Sequence, residues 1–350
     1  MPYQKEVLRR HSPAYNFVGI YESGVTIRWG RTIKENPSFA PFPELADISI
    51  SNRCNKGCNF CYRDSVSDGK IMDLDTYKYI LQQLCSKDFG PVFQVAIGGG
   101  EPSEHPNIVE ILMETRKKQI IPNLTTNAES IDNELLRAFK KYCGAVAVSI
   151  SNVNSEFMQN KVRPFLDMGI KTNIHYLLTE RTLGQSIDIL KGKWDHVFEN
   201  INAIVFLTHK SLGRAMEENN LAYDETLKQF LALIDKKKCR MNIGFDACFV
   251  PLLLTHTSVD SRLLDSCECG FFSVYIDESL NVKPCSFATD DNYSHSLNRY
   301  DLEHIWTSKF ERYRLEMKRL CGLECKHHDD CRGGCLFHPY LNFCNLRESN

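Results

Sequence analysis

The chain has 350 residues, with 42 Lys and Arg against 44 Asp and Glu, and a formal net charge of −2. This length allows a sizeable hydrophobic core without disulfide staples, so small secreted scaffolds are excluded. The balanced charge provides no basic surplus, and we expect no nucleic-acid partner. The first residues, MPYQKEVLRRH, are too charged for a signal peptide, and the apolar runs are too short to span a bilayer. We therefore expect a cytoplasmic protein with no membrane partner.

Fifteen cysteines are distributed unevenly, and eight of them lie between Cys267 and the C-terminus. In a reducing compartment, closely spaced cysteines are more often metal ligands or catalytic groups than disulfides. The composition therefore predicts metal or redox chemistry.

Residues 1–45 are predicted to form an extension that precedes the main fold. Within it, residues 17–33 place two β-rich runs on either side of a Glu-Ser-Gly turn at residues 22–24, which predicts a hairpin. Three prolines between residues 34 and 43 disfavour helix, so an extended linker is expected there.

Residues 46–245 are predicted to alternate between strands and helices. Short apolar runs predict strands at 46–51, 92–97, 120–126, 145–150, 169–177 and 202–207. Helices with an apolar stripe are predicted at 73–86, 106–118, 130–142, 155–168, 184–191 and 224–238. This alternation predicts a parallel α/β sheet, open or wound as a partial barrel, with helices on its outer face.

The alternation stops after residue 245, and residues 246–350 are predicted to form a separate appendage. This segment is rich in Cys, Asp, Ser and Asn, with one clear helical pattern at 301–320. Because such a segment buries little hydrocarbon by itself, we expect metal to hold it together.

Three cysteines follow the first strand of the alternating region in a C-x3-C-x2-C pattern, at Cys54, Cys58 and Cys61. A structural zinc site takes four ligands, and no fourth Cys or His is close enough in sequence to complete one. On a cluster of four irons and four sulfides, three ligands leave one iron open to a substrate or cofactor. Two aromatic residues, Phe60 and Tyr62, flank the last cysteine.

This loop resembles the cluster-binding loop of the radical SAM enzymes. A second element, made of Gly98, Gly99, Gly100, Glu101 and Pro102, ends the second strand of the alternating region. It resembles the GGEP element of that family, in which the backbone and the Glu contact the methionyl amine of S-adenosylmethionine. The resemblance implies a partial (β/α)6 TIM-like barrel with a small cysteine-rich iron–sulfur domain at its C-terminal end.

The resemblance also implies where the cofactor lies. Reactive groups gather at the carboxyl ends of the strands in parallel α/β barrels, and all of the following motifs are predicted to lie there. The implied cofactor-binding residues are Phe60, Tyr62, Gly98, Gly99, Gly100, Glu101, Thr126, Asn127, Ser149, Ser151 and Arg214. Arg214 belongs to a Gly-Arg-Ala sequence that is similar to an element of related enzymes, and a charged surface loop is an equally weighted interpretation.

The C-terminal cysteines resemble the SPASM extension of radical SAM enzymes, which binds auxiliary iron–sulfur clusters. The run from Cys331 to Cys335, CRGGC, is its most specific piece, and residues 277–285 resemble its small hairpin, with Leu280 where the family usually has Gly. The resemblance implies two auxiliary [4Fe–4S] clusters. One would be held by Cys321, Cys325, Cys331 and Cys344, and the other by Cys267, Cys269, Cys285 and Cys335. Zinc bound by four cysteines and a single auxiliary cluster are the alternatives.

Two residues at the predicted junction of barrel and appendage are catalytic candidates. Cys248 could donate a hydrogen atom to a substrate radical or ligate a cluster, and a buried structural thiol is the alternative. Asp246 could act as a base in an oxidation, and a helix-capping role is the alternative.

The resemblance implies an enzyme that reductively cleaves S-adenosylmethionine to a 5′-deoxyadenosyl radical, which takes hydrogen from a peptide or protein. Formation of a thioether or carbon–carbon cross-link is the expected reaction. Peptide epimerisation and a sulfatase-maturing type of oxidation are the alternatives, and a zinc-stabilised binding module is the alternative from another class. An electron donor such as flavodoxin or ferredoxin is the expected protein partner.

Overall fold

The computed structural model describes residues 6–321 and 325–344. Residues 1–5, 322–324 and 345–350, which fall in the predicted extension and appendage, lie outside the described part.

The strands are β1 (Val7–Ser12), β2 (Tyr15–Ile20), β3 (Val25–Trp29), β4 (Leu45–Ser49), β5 (Cys85–Ser86), β6 (Gly90–Pro91), β7 (Gln94–Gly98), β8 (Ile121–Thr126), β9 (Val146–Ile150), β10 (Thr172–Leu178), β11 (Ala203–Thr208), β12 (Ile243–Phe245), β13 (Ser273–Ile276), β14 (Asn281–Lys283) and β15 (His295–Ser296). The α-helices are α1 (Leu74–Gln83), α2 (Ile108–Lys117), α3 (Asn133–Tyr142), α4 (Ser155–Phe157), α5 (Arg163–Asp167), α6 (Glu180–Leu190), α7 (Glu225–Ile234), α8 (Val250–His256), α9 (Leu302–His304), α10 (Phe310–Met317) and α11 (His328–Cys331).

The main sheet has ten strands in the order β12-β11-β10-β9-β8-β7-β4-β13-β14-β15. Every neighbouring pair from β12 to β13 is parallel. Because each parallel connection crosses over through a helix, helices α1, α2, α3, α6 and α7 cover the sheet. This is the predicted partial barrel, and its six predicted strands are confirmed with ends that differ by at most three residues.

The predicted helix over 155–168 is interrupted in the structure. It consists of α4, a π-helical turn at Met158–Val162 and α5, which has a proline in its first turn. Proline lacks the N–H that would continue the ladder, so the helix restarts there. The helix predicted over 301–320 likewise contains a π-helical turn, at Ile305–Lys309.

The N-terminal extension is a three-stranded antiparallel sheet, in which β1 adds a strand to the predicted hairpin of β2 and β3. Arg10 on β1 is 4% exposed and donates hydrogen bonds to the carbonyl oxygens of Phe42, Pro43 and Pro91, at 2.6–2.9 Å. A charged group buried at this depth needs such partners. Arg10 therefore fastens the extension to the barrel.

The C-terminal segment is joined to the barrel by more than its cysteines. Strand β13 pairs in parallel with β4, so the sheet continues across the predicted boundary at residue 246. Trp306 and Phe310 are fully buried in the same apolar core as Phe42, and the indole of Trp306 donates a hydrogen bond to the Ala40 carbonyl at 2.8 Å. The expectation that this segment buries little hydrocarbon differs from the structure, because its apolar side chains share the core of the barrel.

Candidate functional site

A cavity of about 630 Å³ opens at the carboxyl ends of the parallel strands. The predicted site residues that line it are Cys54, Cys58, Phe60, Cys61, Tyr62, Gly98, Gly99, Gly100, Glu101, Asn127, Ser149 and Ser151. Four other predicted residues, Thr126, Arg214, Asp246 and Cys248, are not part of its wall. The structure thus brings together the motifs that follow β4, β7, β8 and β9.

The cysteine loop is held to the barrel by its backbone. The N–H of Cys54 donates to the Val66 carbonyl at 2.9 Å, and the N–H of Cys61 donates to the Cys58 carbonyl at 3.3 Å. Burial raises the pKa values of the Cys54 and Cys58 thiols. Three free thiols in one loop at the mouth of the cavity are the donor set that a cluster with one open iron requires. Among the described residues, no three His, Cys, Asp or Glu side chains are grouped to hold a single metal ion.

The glycine element packs directly against the strand that leads into the cysteine loop. A Cβ atom on Gly99, which has a φ of +122°, would lie 2.2 Å from the Ser51 carbonyl oxygen. A Cβ atom on Gly100 would lie 1.9 Å from the Arg53 carbonyl oxygen. Side chains are excluded at both positions, and the backbone of this element can therefore approach the cavity closely. Gly98 has no such neighbour within 4 Å.

Glu101 is 2% exposed and is held from several sides. Its Oε1 accepts hydrogen bonds from the Ser103 hydroxyl at 2.6 Å and the Thr126 hydroxyl at 2.7 Å, and its Oε2 accepts from the Asn127 N–H at 2.7 Å. With the Ser103 N–H, which also donates to Oε1 at 3.0 Å, four donors orient this carboxylate. Thr126 therefore acts on the site through Glu101. The Asn127 amide instead reaches the loop, with its Nδ2 3.9 Å from the Cys54 sulfur.

Arg214 stabilises the cysteine loop through hydrogen bonds and an ion pair. Its guanidinium donates to the carbonyl oxygens of Cys58 at 3.0 Å and Ser65 at 2.9 Å, and it pairs with Asp64 at 2.8 Å. Its backbone N–H donates to the Cys61 carbonyl at 3.0 Å. The structure therefore places Arg214 as a support of the cluster loop, outside the cavity where the cofactor-binding role was expected.

Two titratable side chains in the cavity were missed by the sequence reasoning. Asp47 on β4 faces the cavity, and desolvation raises its pKa to about 6, opposed by the nearby Arg63. His175 on β10 also lines the cavity, and burial lowers its pKa to about 4, so its imidazole is neutral at pH 7. Both lie within runs that read as ordinary strands. The signal that could have found them is a charged or polar residue in an otherwise apolar β-rich run.

Five C-terminal and junction thiols form a second group. The thiols of Cys267 and Cys269, and those of Cys269 and Cys285, are close enough to shift one another's pKa values. The neighbouring thiol of Cys248 lowers the pKa of Cys335. The four cysteines implied to hold one auxiliary cluster are therefore neighbours, and Cys248 lies beside them instead of in the cavity.

The other implied set includes Cys331, the first residue of the CRGGC run. Burial, followed by the nearby thiols of Cys344 and Cys321, raises the pKa of Cys331 to about 11. Cys325 resumes the chain after the undescribed residues, and its carbonyl accepts the N–H of His328 at 3.0 Å. Cys321, Cys331 and Cys344 are therefore neighbours, and the assignment of four thiols to each cluster stays a prediction.

Asp246 is engaged in an ion pair that the sequence did not suggest. Its Oδ2 accepts from the ammonium of Lys210 at 2.9 Å, and its Oδ1 accepts from the Thr208 hydroxyl at 2.6 Å. Asp246 precedes a short helical turn without capping it through its side chain. A side-chain capping role is therefore not observed, and the role of Asp246 as a base stays a prediction.

The fold is of the α/β partial-barrel type, and the cysteine loop lies at the cavity where its parallel strands end. Residues 48–177 match the sequence model of the Radical SAM superfamily. This part of the chain is a radical SAM domain. Such domains bind a [4Fe–4S] cluster and S-adenosylmethionine.

Relatives and solved structures cover more of the chain at lower identity. Mycofactocin maturase MftC of Mycobacterium ulcerans is 24% identical over 315 residues, covering 82% of this chain and 81% of its own. Fe-coproporphyrin III synthase of Methanosarcina barkeri is 24% identical over 257 residues, covering 66% of this chain and 62% of its own. The chain thus spans less than two thirds of that relative, and about a quarter of some others.

SuiB of Streptococcus suis, in a crystal structure with its precursor peptide SuiA, superposes with a TM-score of 0.71 at 17% identity. The superposition covers 99% of this chain and 96% of SuiB. The two proteins therefore share a fold that includes the C-terminal segment. No described helix of the present chain has the length and apolar character needed to cross a membrane.

Proposed function

We propose that this protein modifies a peptide or protein by radical chemistry and forms a thioether or carbon–carbon cross-link. The observation that carries the proposal is the cavity itself, in which the three loop thiols, the glycine element and Glu101 share one wall. Its volume of about 630 Å³ is within the range of ligand pockets. When bound, S-adenosylmethionine on the open cluster supplies a 5′-deoxyadenosyl radical after one-electron reduction.

The residues of the chain have three tasks in this reaction. The glycine element and Glu101 would hold the methionyl amine, because a buried carboxylate attracts an ammonium group strongly. Ser149, Ser151 and Asn127 offer hydroxyl and amide groups for the rest of the cofactor. Tyr62 and Phe287, whose ring centroids are 4.3 Å apart, close one side of the cavity with apolar surface that keeps water from the radical.

The auxiliary thiols support an oxidative outcome. Formation of a cross-link removes two hydrogen atoms from the peptide, one taken by the 5′-deoxyadenosyl radical and one lost as a proton with an electron. That electron needs an acceptor, and two cubanes on the eight C-terminal cysteines would provide one within the same chain. The names of MftC and of SuiB with its precursor peptide are in keeping with a peptide substrate.

Anaerobic incubation with a reductant, S-adenosylmethionine and the small peptides encoded beside the gene tests this function. A product lighter by two hydrogens, whose tandem mass spectrum lacks fragments between two joined residues, supports a cross-link. A product of unchanged mass that takes deuterium from heavy water would instead establish epimerisation. Conversion of one Ser or Cys to an aldehyde would establish the sulfatase-maturing type of oxidation.

A further inference from the structure

A buried ion pair lies behind the wall of the cavity, between the two groups of thiols. The side chain of Lys210 is 3% exposed, and its ammonium contacts Asp246 Oδ2 and the Thr208 carbonyl, each at 2.9 Å. It also lies 4.4 Å from the centre of the Phe287 ring. These contacts fix the position of the charge.

A pair of this kind adds little to stability, because the cost of removing both charges from water offsets their attraction. Neither residue lines the cavity, so the pair does not contact substrate there. Its position near the auxiliary thiols would allow it to act on a cluster by its charge, without contacting the substrate.

Lys210 is separated from those thiols by a single side chain. The backbone N–H of Phe287 donates to the Cys285 sulfur at 3.4 Å, while its ring carries the Lys210 ammonium on one side and contacts Tyr62. The charge of Lys210 also acts on the thiols of Cys248 and Cys335. One fixed cation therefore faces thiols from three separate segments.

The positive end of the ion pair lies 4.4 Å from the centre of the Phe287 ring, and the backbone N–H of that residue reaches the Cys285 sulfur at 3.4 Å. In a poorly solvated interior, a charge at this range acts far more strongly than it does in water.

We propose that Lys210, held in place by Asp246, raises the reduction potential of the auxiliary cluster that Cys285 and Cys335 would ligate. A cluster with four thiolate ligands gains negative charge on reduction, and a nearby fixed cation stabilises the reduced form. The ion pair thereby makes the cluster on the cavity side the better acceptor of the electron left by substrate oxidation. This inference rests on the auxiliary clusters of the proposed function.

Potentiometric titration of the anaerobically purified full chain, followed by electron paramagnetic resonance, tests the inference. Lys210→Met leaves Asp246 as an unpaired negative charge and is expected to shift one auxiliary cluster to a lower potential. Asp246→Asn leaves the cation uncompensated and is expected to shift the same cluster to a higher potential. At a fixed potential we expect each change to alter the ratio of reduced to oxidised cluster at least tenfold, or about 59 mV for one electron.

A second cluster and two further variants serve as controls for this measurement. The cluster on Cys321, Cys331 and their partners should keep its potential, because the ion pair does not face it. Lys228→Met removes a lysine that pairs with Glu225 on an exposed helix surface and should change neither potential. Lys210→Arg keeps the positive charge, so the potential of the auxiliary cluster should stay close to the wild-type value. If Lys210→Met fails to load iron, the inference is tested by the cluster potentials of Asp246→Asn and of the double variant Lys210→Met/Asp246→Asn.

Potentials that do not move in loaded variants would overturn this inference and leave the proposed function intact. If both substitutions shifted the potential in the same direction, the inference would also be overturned, because such shifts would indicate a general disturbance of packing. A wild-type protein that holds only the open cluster would overturn the auxiliary assignment itself, and the inference with it. None of these readouts depends on which peptide is modified.

Discussion

Gly213 lies against the cysteine loop so closely that a Cβ atom on it would come within 2.7 Å of the Cys61 carbonyl oxygen. Its φ of +62° is in the left-handed region, which glycine adopts without strain. The residue after it, Arg214, binds the same carbonyl through its N–H. The loop after β11 therefore packs tightly against the segment that carries the three thiols.

Gly213→Ala should displace the cysteine loop and reduce the iron held by the open cluster site. The left-handed conformation costs an Ala about 1–2 kcal/mol, and the overlap with the Cys61 carbonyl adds to this cost. Iron and sulfide analysis should show a loss of up to one cluster, with the auxiliary absorbance retained. Gly184→Ala, at a helical position where a Cβ meets nothing within 4 Å, is the matched control. Full iron content in both variants would contradict this account of Gly213.

Arg214→Met should loosen the cysteine loop without entering the cavity. The variant loses hydrogen bonds to the carbonyls of Cys58 and Ser65 and the ion pair with Asp64. Each hydrogen bond of a charged group is worth on the order of 2 kcal/mol, less at this partly exposed position. We expect faster loss of iron to a chelator with an unchanged affinity for S-adenosylmethionine in the loaded protein. Arg181→Met, which removes an exposed ion pair, should leave the rate unchanged. A weakened affinity with normal iron retention would instead support a direct cofactor contact.

Glu101→Gln should weaken binding of S-adenosylmethionine by tenfold or more. The change keeps the shape of the side chain and removes the negative charge that would pair with the methionyl amine, an interaction of about 1.5–3 kcal/mol. Equilibrium dialysis against the cluster-loaded protein measures the affinity. Glu225→Gln, on an exposed helix start, is the control. Equal affinities of both variants and the wild type would remove Glu101 from the site.

Asp47→Asn should stabilise the protein more at neutral than at acid pH. The folded state holds the Asp47 proton up to a pKa of about 6, compared with an ordinary value of 3.8. The contribution of Asp47 to stability therefore falls as the pH rises from about 4 to 6, and the Asn variant lacks this contribution. The difference in apparent melting temperature between variant and wild type should grow over this interval and level off above it. A difference that is constant with pH, or that shrinks, would contradict the raised pKa.

The motifs and strands of the barrel could be predicted because they are local. The apolar runs that became β4 and β7–β11 carry their own β-pattern, and each cofactor motif follows such a run directly. The glycine element is recognisable for the same reason, since Gly99 and Gly100 meet strict steric limits set by their neighbours. Parallel pairing then brings the ends of separate runs together without further information.

The ion pair of Lys210 and Asp246 could not be predicted, because the two residues are 36 positions apart and no local pattern links them. The continuation of the sheet through β13 was missed for a related reason. Pairing of β13 with β4 joins residues that are more than 200 positions apart, and the cysteine-rich composition around β13 concealed a buried strand. Leu280 is a further case, since it adopts a φ of +65° at the turn where glycine was the expected residue.

Cleavage of S-adenosylmethionine at the cluster that the loop thiols would hold is the most direct test of the account. Wild-type protein and the variant Cys54→Ala/Cys58→Ala/Cys61→Ala are purified anaerobically, loaded with iron and sulfide, reduced, and assayed for 5′-deoxyadenosine by liquid chromatography and mass spectrometry. The account predicts 5′-deoxyadenosine from the wild type and none from the variant, while the auxiliary absorbance persists in both. Formation of 5′-deoxyadenosine by the variant, or its absence from fully loaded wild-type protein, would contradict the account.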